Sequence, residues 1–153
     1  QTVLFRSGAS GVVLMAATLG AGVDRELRRL GVCDPLGQAV FDAAATTLVE
    51  ELADKTEAGV RAQAAERGLY CSWRFSPGYG DWQLAEQLNV VRLCRAVEIG
   101  IALSSSLMLM PRKSVTAIIG LKRKCGEYAE FVPQATGCKA CGKVDCPSRR
   151  LWG

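Results

Sequence analysis

Short apolar runs separated by glycine-rich connections predict strands at several places along the chain. Residues 2–5 and 12–17 form two such runs, and the glycine-rich stretch between them suits a connection between paired strands. A run at 69–73 predicts another short strand. Three later runs predict strands by the same pattern, at 101–103, 107–110 and 115–121.

Helices are predicted between these strands. The mixed-charge segment 23–30 predicts a short helix that is exposed on one side. Asp34 and Pro35 mark the start of a longer helix, because an acidic N-cap followed by proline at the first helical position is a typical beginning. This helix is expected to run to about Arg67 and to stop at Gly68.

Apolar positions predict which side of each helix packs on the core. In the long helix, apolar residues recur every four positions, at Leu36, Val40, Ala44, Leu48 and Leu52. Ala39, Ala43, Ala45 and Ala53 leave room for a close neighbour. The helix would be roughly 50 Å long, so a break near Gly59 is allowed for.

A third helix is predicted after an N-cap at Asp81, with Gly100 ending it and an apolar stripe at Leu84, Leu88, Val91, Cys94 and Val97. Helices separate from runs of strands indicate an α+β fold with a twisted, largely antiparallel sheet.

The stretch Arg74-Phe75-Ser76-Pro77-Gly78-Tyr79-Gly80-Asp81-Trp82 has the composition of a ligand-binding turn. Proline followed by glycine predicts a type II turn, since glycine takes a positive φ without steric cost. Backbone between two glycines is open to close approach. Arg74 offers a planar cation for a carboxylate or phosphate, and Tyr79 and Trp82 offer aromatic faces. The alternative is an ordinary turn whose arginine makes a surface ion pair.

Composition and charge narrow the function classes. The chain has 153 residues, of which 49% are hydrophobic and 22% charged, and this predicts one globular domain with a core of its own. The absence of histidine excludes Ser-His and Cys-His nucleophile pairs and every imidazole metal ligand. Seven cysteines with no signal peptide favour a reducing cytoplasm over a secreted disulfide scaffold. No apolar run reaches the length of a membrane span.

The net charge of +4 is concentrated near the C-terminus, where residues 112–153 carry nine Lys or Arg against three Asp or Glu. The bend at Arg112 and Lys113, together with Lys122, Arg123 and Lys124, predicts a basic docking face for an acidic partner. A solvated basic tail is the alternative. Nucleic-acid binding is disfavoured, because these cations are not interleaved with stacking aromatic residues.

The pattern Arg74-x-x-x-Gly78-Tyr79 resembles the S-adenosylmethionine-binding motif in the reactivation domain of cobalamin-dependent methionine synthase. The fuller form Arg-Phe-Ser-Pro-Gly-Tyr-Gly-Asp looks like that of free-standing relatives in anaerobic bacteria. The likeness extends to residues 16–20, to the helix that begins at Asp34 and to residues 107–115, so it covers most of the chain. Relatives of this domain have more sequence before the point where Gln1 stands, including an acidic ligand residue, so a fragment or processed chain is expected.

The resemblance implies a role for several residues. Arg74 would pair with the carboxylate of S-adenosylmethionine, Glu50 with its ammonium group, and Phe75, Gly78 and Tyr79 would hold it through backbone and ring. Tyr128 matches a tyrosine that packs near the ligand in the family. A solvated helix carboxylate is the alternative reading of Glu50, which shares a polar arc with Asp54 and Glu57.

The tail contains a second motif, in which Cys138, Cys141 and Cys146 are spaced C-x2-C-x4-C. Three thiols this close can converge on one metal centre, with Cys125 as the nearest fourth ligand. We expect an iron–sulfur cluster rather than zinc, and a disulfide or free thiols are the alternative. Cys33, Cys71 and Cys94 are predicted to be small core residues.

The resemblance implies an S-adenosylmethionine-binding domain over residues 1–132 and a cysteine-rich tail over 133–153. Such a module would support the reductive methylation of cob(II)alamin on a partner corrinoid methyltransferase, as a component of methionine synthase activity rather than a free-standing catalyst. Flavodoxin or ferredoxin would supply the electron. The alternatives are an S-adenosylmethionine sensor without corrinoid chemistry and an iron–sulfur electron carrier.

Overall fold

The computed structural model describes residues 9–79 and 82–123, and these form a mixed α+β fold, as the sequence predicts. The main sheet has three antiparallel strands, β1 Gly11–Thr18, β2 Leu69–Phe75 and β5 Ser114–Arg123, in the order β1-β5-β2. A small antiparallel hairpin joins β3 Ala102–Leu103 to β4 Leu109–Met110. The helices are α1 Ala21–Cys33, α2 Pro35–Glu66 and α3 Gln87–Leu93, with short 3-10 turns at Leu84–Glu86 and Ala96–Ile99.

The central strand β5 lies between β1 and β2, and β2 pairs with only part of it. Its pairing with β1 runs over the whole of β1, from Gly11 opposite Leu121 to Thr18 opposite Ser114. Its pairing with β2 ends where Phe75 meets Ile118, after a bulge between Cys71 and Arg74. The first four residues of β5 therefore have no partner strand on the β2 side within the described part of the chain. Residues 2–5, predicted to pair with β1, lie outside the described residues.

Local capping explains where α2 begins and ends. The Asp34 side chain accepts a hydrogen bond from the Gly37 N–H at 2.9 Å, and Pro35 occupies the first turn. Gly68, just past the end of the helix, has a φ of +66°, which glycine tolerates far better than other residues. Both predicted ends are thus confirmed. The helix is unbroken through Gly59 over its 32 residues.

The predicted core stripe of α2 is wrong. Leu36, Val40 and Leu48 are 77%, 64% and 53% exposed, whereas the buried residues of α2 are Ala45, Val49, Ala53 and Ala64. A strict four-residue repeat advances about 40° further around the helix at each step, because the helical repeat is 3.6 residues. The predicted residues consequently fan around the helix instead of sharing one face. Alanines face the sheet, where Ala53 packs with Met15, Ala117 and Ile119.

The opposite face of the sheet is covered by a second core cluster, in which Val91, Ala96 and Ile101 pack with Ala16 of β1. Here too the predicted stripe is mostly wrong. Leu84, Leu88 and Val97 are exposed, and Asp81, the predicted N-cap, lies outside the described residues. The helix ends at Leu93 because Arg95 adopts a left-handed conformation, with a φ of +53°. Gly100 ends the 3-10 turn that follows.

The three described cysteines differ in their environment. Cys71 is buried in the sheet and Cys94 is half-buried, as expected of small core residues. Cys33 is exposed at the end of α1, which corrects the prediction for that residue. None of the helices in the described ranges is long and apolar enough to cross a membrane.

Candidate ligand-binding groove

The turn after β2 has the geometry that its sequence predicts. The Tyr79 N–H donates a hydrogen bond to the Ser76 carbonyl at 3.3 Å, and Gly78 has a φ of +90°, as the third position of a type II turn requires. The Gly78 N–H donates to the Trp82 carbonyl at 2.9 Å. The rings of Phe75 and Trp82 stack with centroids 6.2 Å apart. These contacts hold the turn in one conformation.

This turn forms one wall of an open groove of about 830 Å³, within the range of ligand-binding clefts. The groove lies where β2 leaves the sheet, so that α2, the turn, α3 and the free edge of β5 all face it. It is lined by Glu50, Arg74, Phe75, Ser76, Pro77, Gly78, Tyr79, Leu84, Gln87, Leu107, Met108, Leu109, Arg112, Ser114, Val115 and Thr116.

Arg74, near the end of β2, is held by three carboxylates of α2. Its Nη2 lies 2.8 Å from Glu50 Oε2, and its Nη1 contacts Asp54 Oδ1 and lies 3.3 Å from Glu57 Oε2. Glu50, Asp54 and Glu57 are spaced i, i+4 and i+7, which places them on one face of the helix. The polar arc seen in the sequence is therefore the side of α2 that faces β2.

The charge of Arg74 is secured by these partners. Partial burial alone would lower the pKa of its guanidinium, but the hydrogen bond with Asp54 and the charges of Asp54, Glu50 and Glu57 outweigh that effect. The pKa of Arg74 is therefore raised above its ordinary value. Glu50 and Asp54 are mostly exposed, whereas Glu57 is nearly buried, so Glu57 is the least solvated of the three anchors.

Arg61, one turn further along α2, fixes the bulge from which Arg74 emerges. It donates to the carbonyls of Cys71 and Ser72 at 3.2 and 2.8 Å, and it pairs with Glu57 at 2.5 Å. Its guanidinium carbon also lies 5.7 Å from the centre of the Trp73 ring, a cation–π distance. Because these contacts satisfy the bulge carbonyls and anchor Glu57, the position of Arg74 follows from α2 as well as from β2.

A buried polar pair lies at the base of the groove, and the sequence interpretation missed it. The Gln87 Nε2 donates to Thr116 Oγ1 at 2.5 Å, and both residues are almost fully buried. The sequence does contain a pattern that indicates burial of Gln87. This residue shares one helical face with Val90, Val91 and Cys94, at the spacing i, i+3, i+4 and i+7. A polar residue on an otherwise apolar helical stripe marks either a satisfied core group or a ligand contact.

The predicted basic bend is largely committed to contacts within the chain. Lys113 is only 13% exposed, with its Nζ 3.0 Å from Asp42 Oδ1 and 2.7 Å from Thr46 Oγ1 on α2. The backbone N–H of Arg112 donates to Asp24 Oδ2 at 3.1 Å, and the Arg112 side chain remains mostly exposed at the groove. Lys113 therefore stabilises the fold and is not available as a docking charge.

Of the site residues predicted from sequence, the structure brings Glu50, Arg74, Phe75, Gly78 and Tyr79 together around this one groove. Tyr128 and the tail residues Cys125, Cys138, Cys141 and Cys146 lie outside the described residues. Among the residues that are described, no group of three or more Cys, Asp or Glu side chains is placed to hold a metal ion. The chain matches no protein-family model, and a search of curated proteins finds no match.

Proposed function

We propose that the groove binds S-adenosylmethionine. The observation that carries this proposal is that the five residues implied by the resemblance, Glu50, Arg74, Phe75, Gly78 and Tyr79, line one groove of suitable size. Glu50 and Arg74 are separated by 24 positions and lie on different elements, so their meeting is not a consequence of neighbouring sequence. The stretch 107–115, which also carries the resemblance, contributes the facing wall.

The methionine end of the ligand fits the charges at this point of the groove. An amino-acid head group carries one carboxylate and one ammonium, the same two charges that Arg74 and Glu50 present to each other at 2.8 Å. Binding would exchange that ion pair for two, with the ligand carboxylate on Arg74 and the ammonium on Glu50. Glu57 and Asp54 keep Arg74 in place during the exchange, because they contact its other terminal nitrogen.

The nucleoside end has aromatic and apolar surface available to it. Tyr79 is largely exposed on the groove wall, and Phe75, Leu84 and Leu109 line the groove beside it. Aromatic rings stack on purine bases with a favourable free energy of about 1–3 kcal/mol per base. Because Gly78 has no side chain, the groove wall next to Tyr79 is bare backbone.

The function that follows from such a site is positioning. S-adenosylmethionine carries its own leaving group, so the chain needs to orient it and exclude competing reactions rather than supply an acid or base. We propose that the methyl group is presented to a reduced corrinoid on a partner methyltransferase. A donor such as flavodoxin or ferredoxin would supply the one electron needed, the partner's corrinoid would be the methyl acceptor, and S-adenosylhomocysteine would be released.

Two measurements test the proposal at its two levels. Titration calorimetry with S-adenosylmethionine should show one site per chain, and no heat of binding at ligand concentrations up to the millimolar range would rule out the ligand. Mixing the chain with a cob(II)alamin-loaded methyltransferase, S-adenosylmethionine and a low-potential reductant should give the methylcobalamin absorption spectrum. Binding without acceleration of methylation would leave a sensor or storage module.

A further inference from the structure

The free edge of β5 presents unpaired backbone groups to the groove. In an antiparallel sheet, the N–H and C=O of one residue point to the same side, and successive residues alternate between sides. The Leu121 carbonyl accepts from Ser10 and the Lys113 carbonyl accepts from Leu19, both on the β1 side. The Gly120 N–H donates to Ser72 Oγ on the β2 side. Odd-numbered residues of β5 therefore bond toward β1 and even-numbered residues point toward β2.

This alternation points the backbone groups of Ser114 and Thr116 to the open β2 side, and Thr116 is the one next to the end of the β2 pairing. Its N–H and C=O point to the β2 side, but β2 pairing ends two residues away at Ile118, and Thr116 lines the groove. Within the described residues no backbone partner occupies that side of Thr116. Backbone groups left unpaired beside apolar walls are costly unless water or a ligand satisfies them. Thr116 thus offers a donor and an acceptor side by side.

We infer that Thr116 recognises the hydrogen-bonding edge of the adenine base, an inference that rests on S-adenosylmethionine being the ligand. Adenine carries an exocyclic amino donor next to a ring-nitrogen acceptor, which complements one C=O and one N–H on a strand edge. The amino group donates to the Thr116 carbonyl and the ring nitrogen accepts from the Thr116 N–H. The groove then selects adenine over bases that carry a carbonyl oxygen at the same position.

The buried pair beside this edge holds Thr116 in place. Gln87 donates to Thr116 Oγ1 at 2.5 Å and belongs to α3, on the face of the sheet opposite α2. Arg74, which takes the carboxylate end, is fixed from α2. The two residues that would hold the two ends of the ligand are therefore positioned from opposite faces of the sheet, Thr116 by α3 and Arg74 by α2.

The test compares S-adenosylmethionine with its hypoxanthine counterpart, S-inosylmethionine, by titration calorimetry. Hypoxanthine places a carbonyl oxygen where adenine has its amino group, so it faces the Thr116 carbonyl with a second acceptor. We expect affinity to fall by at least about 30-fold, since sites that pair with a ligand N–H reject analogues lacking it. Residue-resolved amide exchange should also show the Thr116 N–H protected by S-adenosylmethionine, while that of Ala117, which bonds to β1, stays protected throughout.

The outcomes separate this inference from the proposed function. Equal affinity for the two analogues, within about threefold, or unchanged exchange at Thr116 on saturation with S-adenosylmethionine would overturn the recognition by Thr116 and leave the ligand assignment standing. Failure of both analogues to bind would remove the ligand assignment and this inference with it.

Discussion

The Nη2 of Arg74 lies 2.8 Å from Oε2 of Glu50, and this ion pair joins the end of β2 to the middle of α2 at the rim of the groove. Arg74 carries the positive charge that pairs with a carboxylate, and Glu50 carries the negative charge that pairs with an ammonium group. The two residues therefore complement an amino-acid head group. The pair is only partly shielded from water, so its own contribution to stability is small. On the proposed function, a bound amino-acid head group would replace this ion pair with two.

Replacing Arg74 by alanine should weaken binding of S-adenosylmethionine by about 1.5–3 kcal/mol, the usual contribution of a hydrogen bond to a charged group. The affinity of Arg74→Lys should lie between those of the wild type and Arg74→Ala, because lysine keeps the charge and loses the planar fork. Calorimetry measures the affinities, with Arg28→Ala on the exposed side of α1 as the control. A melting curve for each variant checks that it is folded. Wild-type affinity in Arg74→Ala would show that the site has been misplaced.

Glu50→Gln and Asp54→Asn form a matched pair, since each removes one carboxylate from Arg74 but only Glu50 lines the groove. Glu50→Gln should weaken S-adenosylmethionine binding by about 1–2 kcal/mol through loss of the ammonium contact. Asp54→Asn should change it by less than about 0.5 kcal/mol, as for an exposed ion pair. Equal effects in the two variants would mean that both act through Arg74 and that Glu50 does not touch the ligand.

Two glycines should respond to alanine in opposite directions. Gly78 has a φ of +90°, and an added Cβ would lie 3.3 Å from Leu84 Cδ1, so Gly78→Ala should lower the free energy of unfolding by about 1–2 kcal/mol. Gly59 lies within α2 with open space at its Cβ position, and Gly59→Ala should raise it by about 0.5–1 kcal/mol. Urea titrations measure both changes. Gly78→Val should be worse than Gly78→Ala, and equal tolerance would contradict the turn geometry.

The three described cysteines should differ in their rate of alkylation. Burial raises the pKa of Cys71 and of Cys94, so a smaller fraction of each thiol is ionised at about pH 8 and the reactive thiolate is scarce. Cys33 is exposed, and its thiol is accessible to reagent. Iodoacetamide labelling followed by peptide mass spectrometry should therefore find Cys33 modified at least about tenfold faster than Cys71. Similar labelling rates for Cys33 and Cys71 in the folded protein would contradict the burial of Cys71.

The cysteine-rich tail gives a prediction that depends on its spacing alone. Anaerobically prepared protein should contain about one metal centre per chain, and we expect iron rather than zinc. Replacing Cys138, Cys141 and Cys146 by serine should remove the metal without changing S-adenosylmethionine affinity, because the groove is built from residues before 117. Three freely titratable thiols and no bound metal would eliminate the cluster.

The sequence by itself determined the features that depend on near neighbours. Asp34 caps α2 through a hydrogen bond to Gly37, three residues away, and Gly68 ends the helix through its own φ. The Pro77-Gly78 turn follows from one fixed and one permissive φ. The strand segments were also legible, because alternation and β-branching act within a few residues. Each of these is a local interaction, so the residue types alone specify it.

Tertiary structure alone decided which surfaces meet. Nothing in a four-residue repeat reveals that Ala53 rather than Leu48 faces the sheet, since that choice depends on which side the strands occupy. The same holds for the three carboxylates around Arg74 and for Gln87 beneath Thr116, which are contacts between residues 17 to 29 positions apart. The groove itself exists because β2 stops pairing at Ile118 while β5 begins at Ser114. The strand register depends on pairing along the whole sheet, so no single segment of the chain determines which part of β5 is left without a partner strand.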